Sequence, residues 1–137
     1  MSEPFIFIGT HRLKEGRLDA AREMNQWLCE LVESNEPRLI AFNAYANEEG
    51  TEIAVVQVHP DAESMLFHLE LLSKHITGAY EDEGPLAETT SIQLYGDPGE
   101  SALEMIEQFN PGLPLIVKPH GLGGFTRSAA PETAEAS

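Results

Sequence analysis

Three of the five histidines in this chain, His59, His68 and His75, lie in one stretch, HPDAESMLFHLELLSKHITGAY. The ordinary pKa of an imidazole lies near neutrality, so a histidine can take or give a proton at physiological pH. His68 and His75 are seven residues apart. On a helix this spacing puts them on one face and about 10 Å apart along the axis. A chelating pair needs a spacing of three or four residues, so we expect acid–base or ligand contacts here and no metal site.

A helix must position these histidines. Pro60 suits a first helical turn, and Asp61 and Glu63 favour the positive end of the helix dipole. Apolar residues then recur at helical spacing, at Met65, Leu69, Leu72 and Ile76. Two interpretations stay open: the histidines are half-solvated at the helix edge, or they line a cavity between the helix and a sheet. In the second case we expect His68, at the margin of the apolar stripe, to face the cavity more than His75.

The remaining periodicity predicts two further helices and five strands. The strands are predicted over 5–10, 38–46, 51–58, 88–95 and 114–118, and the other helices over 17–34 and 101–109. The order β-α-β-β-α-β is the ferredoxin-like arrangement, an α+β fold with an antiparallel sheet. We expect residues 1–96 to form this domain and 97–120 to pack on it as a helix–strand extension. Residues 121–137 are predicted to be a glycine-rich linker and a disordered tail.

The predicted hairpin is apolar on both faces. On its first strand Ile40, Phe42 and Ala44 alternate with Leu39, Ala41, Asn43 and Tyr45, and on its second Ile53 and Val55 alternate with Ala54, Val56 and Val58. A sheet with one solvated face would alternate more cleanly between apolar and polar residues. The predicted helices cover one face only, so a second copy of the chain is the simplest cover for the other. We therefore expect a homodimer.

Charge and cysteine content exclude several classes of partner. The chain has 23 acidic and 8 basic side chains and a formal net charge of −15. Such a charge repels phosphates, so we expect neither nucleic acid nor a membrane as a partner. The single cysteine, Cys29, cannot form an internal disulfide, and the N-terminus has no basic segment before its short apolar run. These features are typical of a cytoplasmic protein.

Residues 4–96 resemble the antibiotic biosynthesis monooxygenase-like family of dimeric α/β barrels. The resemblance lies in FIFIGTHRLKEGRLDAAREMNQWLCELV, in the hairpin LIAFNAY…TEIAVVQV, and in the helix AESMLFHLELLSKHI, where His68 and His75 occupy the places of the family's two histidines. It implies two sheets packed face to face in a homodimer, with a cavity between sheet and helices in each subunit. Some members oxidise quinols or phenols with dioxygen and without metal or flavin.

The resemblance therefore implies a cofactor-free monooxygenase acting on a small aromatic molecule. We expect His68 or His59 as the catalytic base, and ligand contacts from a larger set: His11, His75, Asn43, Tyr45 and Phe67. The family's aromatic oxygenases carry Trp and Asn where this chain has His59 and Val55, and the haem-degrading pattern of Asn, Trp and His is also absent. Two alternatives thus stay open: a non-enzymatic dimer that binds a small apolar ligand, and a haem-binding relative with His68 or His75 as the axial ligand.

Overall fold

Five strands and three helices make up the part of the protein that its computed structural model describes, residues 4–76 and 87–127. Their bounds, in chain order, are β1 Phe5–Leu13, α1 Leu18–Asn35, β2 Ala41–Ala46, β3 Glu52–His59, α2 Ala62–Ile76, β4 Ala87–Tyr95, α3 Gly99–Phe109 and β5 Leu115–Lys118. No helix in these two ranges is long and apolar enough to cross a membrane. The predicted tail, 128–137, and the turn after α2 lie outside the described residues.

The strands form one sheet in the order β2-β3-β1-β4-β5. All neighbouring strands are antiparallel except β4 and β5, which are parallel. The predicted ferredoxin-like α+β fold is confirmed. Strand β1 extends three residues beyond its predicted end, because residues 11–13 pair with β4 after a register shift between Thr10 and His11. A bulge of this kind bends a strand and re-aims the side chains that follow it.

The helices cover one face of the sheet. On this face Phe5 lies opposite His59, and Phe7 lies opposite both Gln57 and Leu94. The hydrophobic core is built from the sheet together with α2 and α3, through Phe5, Met65, Ile92, Leu94, Ala102 and Ile106. Helix α3 thus contributes to the core, and β5 extends the sheet beside β4, so residues 99–118 pack on the domain.

The other face of the sheet carries apolar side chains that are only partly buried. Ile8 lies opposite Val56, and Ile6 lies opposite Val58. All four are of intermediate exposure, and Tyr45, on the same face, is 62% exposed. Strand register therefore confirms that both faces of the hairpin are apolar.

Candidate functional site

A cavity of about 550 Å³ lies between the sheet and helices α1 and α2. Small-molecule sites in proteins usually have volumes of about 300–1,000 Å³ and mostly apolar walls. Here the walls are mostly aliphatic and aromatic, with side chains that include Phe7, Leu28, Phe42, Val55, Leu69 and Leu72. Among the described residues that line it, none is a lysine or an arginine. The cavity therefore suits an uncharged, largely apolar molecule.

The side chain of His68 contributes to the cavity wall and forms a buried hydrogen bond with Glu36. Its Nδ1 lies 2.6 Å from Oε2 of Glu36, and both side chains are almost inaccessible, with 1% and 2% exposure. A carboxylate oxygen accepts, so Nδ1–H donates to it. This bond holds the imidazole in one orientation and leaves Nε2 as the nitrogen that can exchange a proton.

Local sequence explains why Glu36 turns inward. Helix α1 ends at Asn35, whose amide donates to the carbonyl of Leu31 at 2.8 Å. The backbone N–H of Glu36 donates to the carbonyl of Val32, and Pro37 cannot continue the helix. The chain therefore reverses at Glu36 and enters β2 with that side chain under α2.

Two buried polar atoms of this pair have no partner among the described residues, Oε1 of Glu36 and Nε2 of His68. Leaving a buried polar atom without a hydrogen bond costs about 1–3 kcal/mol. Native proteins carry few such atoms, and a reactive site is one of the places where they occur. An unpaired imidazole nitrogen on a residue of an apolar cavity wall can act as a base towards a bound hydroxyl group.

His59 lies beside His68, with the two ring centroids 5.8 Å apart, but both of its nitrogens are engaged. Nδ1 is 2.8 Å from Ser64 Oγ, and Nε2 is 2.9 Å from Gln57 Oε1. Burial, followed by the neighbouring His68, lowers the pKa of His59 from 6.5 to about 3. His59 is thus a neutral, fully hydrogen-bonded group at neutral pH.

His11 occupies a different part of the cavity wall. Its Nδ1 lies 2.9 Å from the hydroxyl of Thr89, and burial lowers its pKa. The ring folds over Gly9, where an added Cβ would lie 3.3 Å from His11 Nε2 and 3.2 Å from Cε1 of Phe7. The absence of a side chain at Gly9 therefore makes room for two rings of the cavity.

The structure brings together some of the predicted site residues. His68 and His11 line the cavity, whereas His59 is not among its lining residues and contacts it through Gln57. Asn43 and Tyr45 lie on the opposite face of the sheet, because alternation along β2 turns Phe42 towards the cavity instead. Phe67 is 49% exposed on the outer side of α2 and does not line the cavity. The side chain of His75 lies outside the described residues.

Two residues of the site, Glu36 and Gln57, were not predicted from the sequence. Gln57 had a detectable signal, because it is a polar residue within the apolar run VVQV and shares a face with Ile53 and Val55. Glu36 had none, because it is one of 23 acidic residues and lies in a loop-like segment, SNEP. Its partner is 32 residues away, and only the tertiary fold brings the two together.

No protein-family model matches this sequence, and no curated protein matches it. Solved structures do. The crystal structure of MupZ from Pseudomonas fluorescens matches over 92% of this chain and 96% of its own, with 18% identity and a TM-score of 0.69. A candidate antibiotic biosynthesis monooxygenase from Bacteriodes thetaiotaomicron matches over 67% of this chain and 85% of its own, with 14% identity and a TM-score of 0.52. A conserved protein from Methanosarcina mazei Go1 matches over 67% and 90%, with 15% identity and a TM-score of 0.53.

These likenesses concern the fold. The chain has the ferredoxin-like architecture of antibiotic biosynthesis monooxygenase-like proteins, as its sequence resemblance implies. The match to MupZ extends over more of the chain than the other two.

Proposed function

We propose that this protein is a general-base enzyme that deprotonates a small phenol- or quinol-type substrate, whose anion then reacts with dioxygen without a metal or organic cofactor. One observation carries the proposal: the buried Glu36–His68 pair, with an unpartnered Nε2 on a side chain of the apolar cavity wall. The fold shared with a candidate antibiotic biosynthesis monooxygenase supports the class of reaction.

In the Glu36–His68 pair a carboxylate orients a histidine that can act as a base. Glu36 fixes the Nδ1–H tautomer and stabilises the imidazolium that forms when Nε2 takes a proton. The cavity walls are largely apolar, so few protein groups compete with His68 for a bound hydroxyl group. A general base placed in this way contributes about 10²–10⁴-fold to a rate.

The oxidation balances without an external reductant. His68 Nε2 removes the phenolic proton, and the resulting anion gives electrons to dioxygen and forms a hydroperoxide at a ring carbon. Loss of water then gives the quinone. One atom of the dioxygen stays bonded to the ring carbon, and the other leaves as water. For 1,4-dihydroxynaphthalene the products are a hydroxynaphthoquinone and one water. The substrate supplies all four electrons, and the proton on His68 leaves with the water.

We also propose that the enzyme works as a homodimer joined through the uncovered sheet face. Ile6, Ile8, Val56 and Val58 form an apolar patch there that no described helix covers. Burying apolar surface contributes about 25 cal/mol per Å², and large exposed apolar patches on soluble proteins mark interfaces. The cavity lies on the opposite face, so each subunit keeps its own site.

The test is oxygen consumption by purified protein with 1,4-dihydroxynaphthalene, compared with His68→Gln and with a control, Gln26→Glu on exposed α1 surface. We expect wild type and control to consume oxygen well above the uncatalysed rate, and His68→Gln to lose at least about a hundredfold. Substrate binding with no oxygen uptake would favour the non-enzymatic ligand-binding module. A Soret band in the purified protein would favour the haem-binding alternative.

A further inference from the structure

We propose that the side-chain NH₂ of Gln57, held in place by His59, is the hydrogen-bond donor that binds the substrate oxygen once it becomes an anion. The inference rests on the proposed function, because it concerns the same cavity and the same proton transfer. It assigns Gln57 to contact with the substrate, and it makes His59 a positioning residue.

Gln57 lies on the cavity face of β3, opposite Phe7 on one neighbouring strand and Phe42 on the other. It lines the cavity and is 4% exposed. An amide in such apolar surroundings costs free energy unless its polar atoms are hydrogen-bonded. Its oxygen is satisfied by His59 Nε2 at 2.9 Å, and its nitrogen has no partner among the described residues.

The donors and acceptors around His59 can be assigned from its two hydrogen bonds, to Ser64 and to Gln57. An amide oxygen can only accept, so His59 Nε2 carries the proton and, in the neutral ring, Nδ1 is an acceptor. The hydroxyl of Ser64, 2.8 Å away, therefore donates to Nδ1. With the amide reversed, Nδ1–H would donate to Ser64 and the buried hydroxyl hydrogen would need another acceptor. Ser64 Oγ makes no second hydrogen bond within the described part of the chain.

Because the Gln57 oxygen accepts from His59, the side-chain NH₂ of Gln57 is the polar group that remains available on the cavity side. His68 lies at the same end of the cavity, because its ring is 5.8 Å from that of His59 and 5.6 Å from that of Phe42. Phe42 is in turn directly opposite Gln57 in the sheet. His68 and Gln57, the proposed base and the proposed donor, thus lie at one end of the cavity.

The combination favours a particular class of ligand. A neutral donor stabilises the anion of a weak oxygen acid, such as a phenol or enol, without the positive charge that a carboxylate ligand would need. Losing one such preorganised donor costs about 10²–10³-fold in enzymes that stabilise an oxyanion. Gln57 should therefore discriminate between the phenolate and the phenol form of a bound ligand.

The test uses 4-nitrophenol, whose phenol and phenolate forms absorb at different wavelengths, and measures the Kd of each form. We expect Gln57→Leu to weaken phenolate binding by about 10- to 100-fold and to change phenol binding by less than about threefold. Gln57→Glu keeps the acceptor for His59 Nε2 and replaces the donor with a carboxylate oxygen. It should lose phenolate binding to at least the same extent, and its melting temperature, measured alongside, separates loss of the donor from loss of folding, because a carboxylate in this buried position costs stability.

His59 is tested in the same assay. His59→Leu should lower phenolate selectivity by about tenfold or more, and His59→Gln, whose amide can donate near the position of Nε2, should restore most of it. Equal weakening of both forms by Gln57→Leu and Gln57→Glu would overturn the donor role. Unchanged selectivity in His59→Leu would overturn the positioning role.

The inference and the proposed function can fail separately. Phenolate selectivity that depends on Gln57, in a protein with no oxygen uptake, would keep the donor and reject the oxygenase. Oxygen uptake that depends on His68, with selectivity unaffected at Gln57, would keep the base and reject the donor. If wild-type protein binds neither form of 4-nitrophenol, the donor assignment is overturned.

Discussion

His59 and His68 are in edge-to-face contact, with ring centroids 5.8 Å apart, yet their hydrogen bonding is opposite in kind. His59 has a partner on each nitrogen, Ser64 and Gln57, whereas His68 has Glu36 on Nδ1 and no described partner on Nε2. The two adjacent imidazoles therefore differ in what they can bind. His59 is neutral and both of its nitrogens are hydrogen-bonded, whereas Nε2 of His68 has no described protein partner and is the nitrogen proposed to contact a ligand.

Removing the carboxylate from the pair should disable His68 without removing it. In Glu36→Leu the Nδ1–H of His68 loses its acceptor in the protein interior, which should cost about 1–3 kcal/mol of folding free energy. Glu36→Gln retains an acceptor oxygen of nearly the same shape and should fold. Its turnover should nevertheless fall by about tenfold or more, because the imidazolium loses its counter-charge. Full activity in folded Glu36→Gln would contradict this role for the carboxylate.

The neutral state of His59 predicts how stability depends on pH. Its pKa is about 3 in the folded protein and 6.5 in the unfolded chain. The unfolded state therefore binds more protons between these values, and stability falls as the pH drops below 6.5. At pH 5 the loss from this group is about 2 kcal/mol relative to pH 7.5.

The measurement is the free energy of unfolding in urea at pH 7.5 and 5.0, for wild type and His59→Gln. Carboxylates titrate in both proteins, so the difference between the two isolates the imidazole. We expect wild type to lose about 2 kcal/mol more than the variant on acidification. An equal loss in both proteins would show that His59 is not held neutral.

Gly9 should be intolerant of even a methyl group. Its backbone is not strained, but a Cβ would lie 3.2 Å from the ring of Phe7 and 3.3 Å from that of His11. Gly9→Ala should displace both rings, cost about 1–3 kcal/mol and weaken ligand binding. Thr10→Ala, one residue along on the opposite face, is the control and should leave binding unchanged. Wild-type binding by Gly9→Ala would show that these rings do not shape the cavity.

The proposed dimer depends on the uncovered sheet face. Val56→Asp places a carboxylate in the centre of that face, opposite Ile8. A buried unpaired charge is strongly disfavoured, so the variant should sediment as a monomer. Gln26→Glu adds the same charge on an exposed side of α1 and should sediment as wild type does. A wild-type protein that is monomeric at micromolar concentration would contradict the dimer.

Much of the fold could be predicted from local sequence, because periodicity records which side of an element is buried. The apolar stripe of α2 and the alternation of β2 and β3 predicted the helix, the hairpin and its two apolar faces. The same reasoning could not place side chains that depend on partners distant in sequence. Glu36 is buried only because α1 ends beside α2, and Asn43 and Tyr45 face away only because Phe42 takes the cavity side. Polarity and aromaticity made Asn43 and Tyr45 candidates, but the alternation of side chains along β2 turns both away from the cavity.

The central claim is that His68 Nε2 takes a proton from a hydroxyl ligand in the cavity. ¹⁵N NMR of labelled protein, recorded with and without 4-nitrophenol at fixed pH, measures this directly, with His68→Gln to assign the resonance. We predict a bare Nε2 and a protonated Nδ1 in the free protein, and protonation of Nε2 on binding, together with the absorbance of 4-nitrophenolate. A bare Nε2 beside a bound ligand that keeps its phenolic proton would contradict the account.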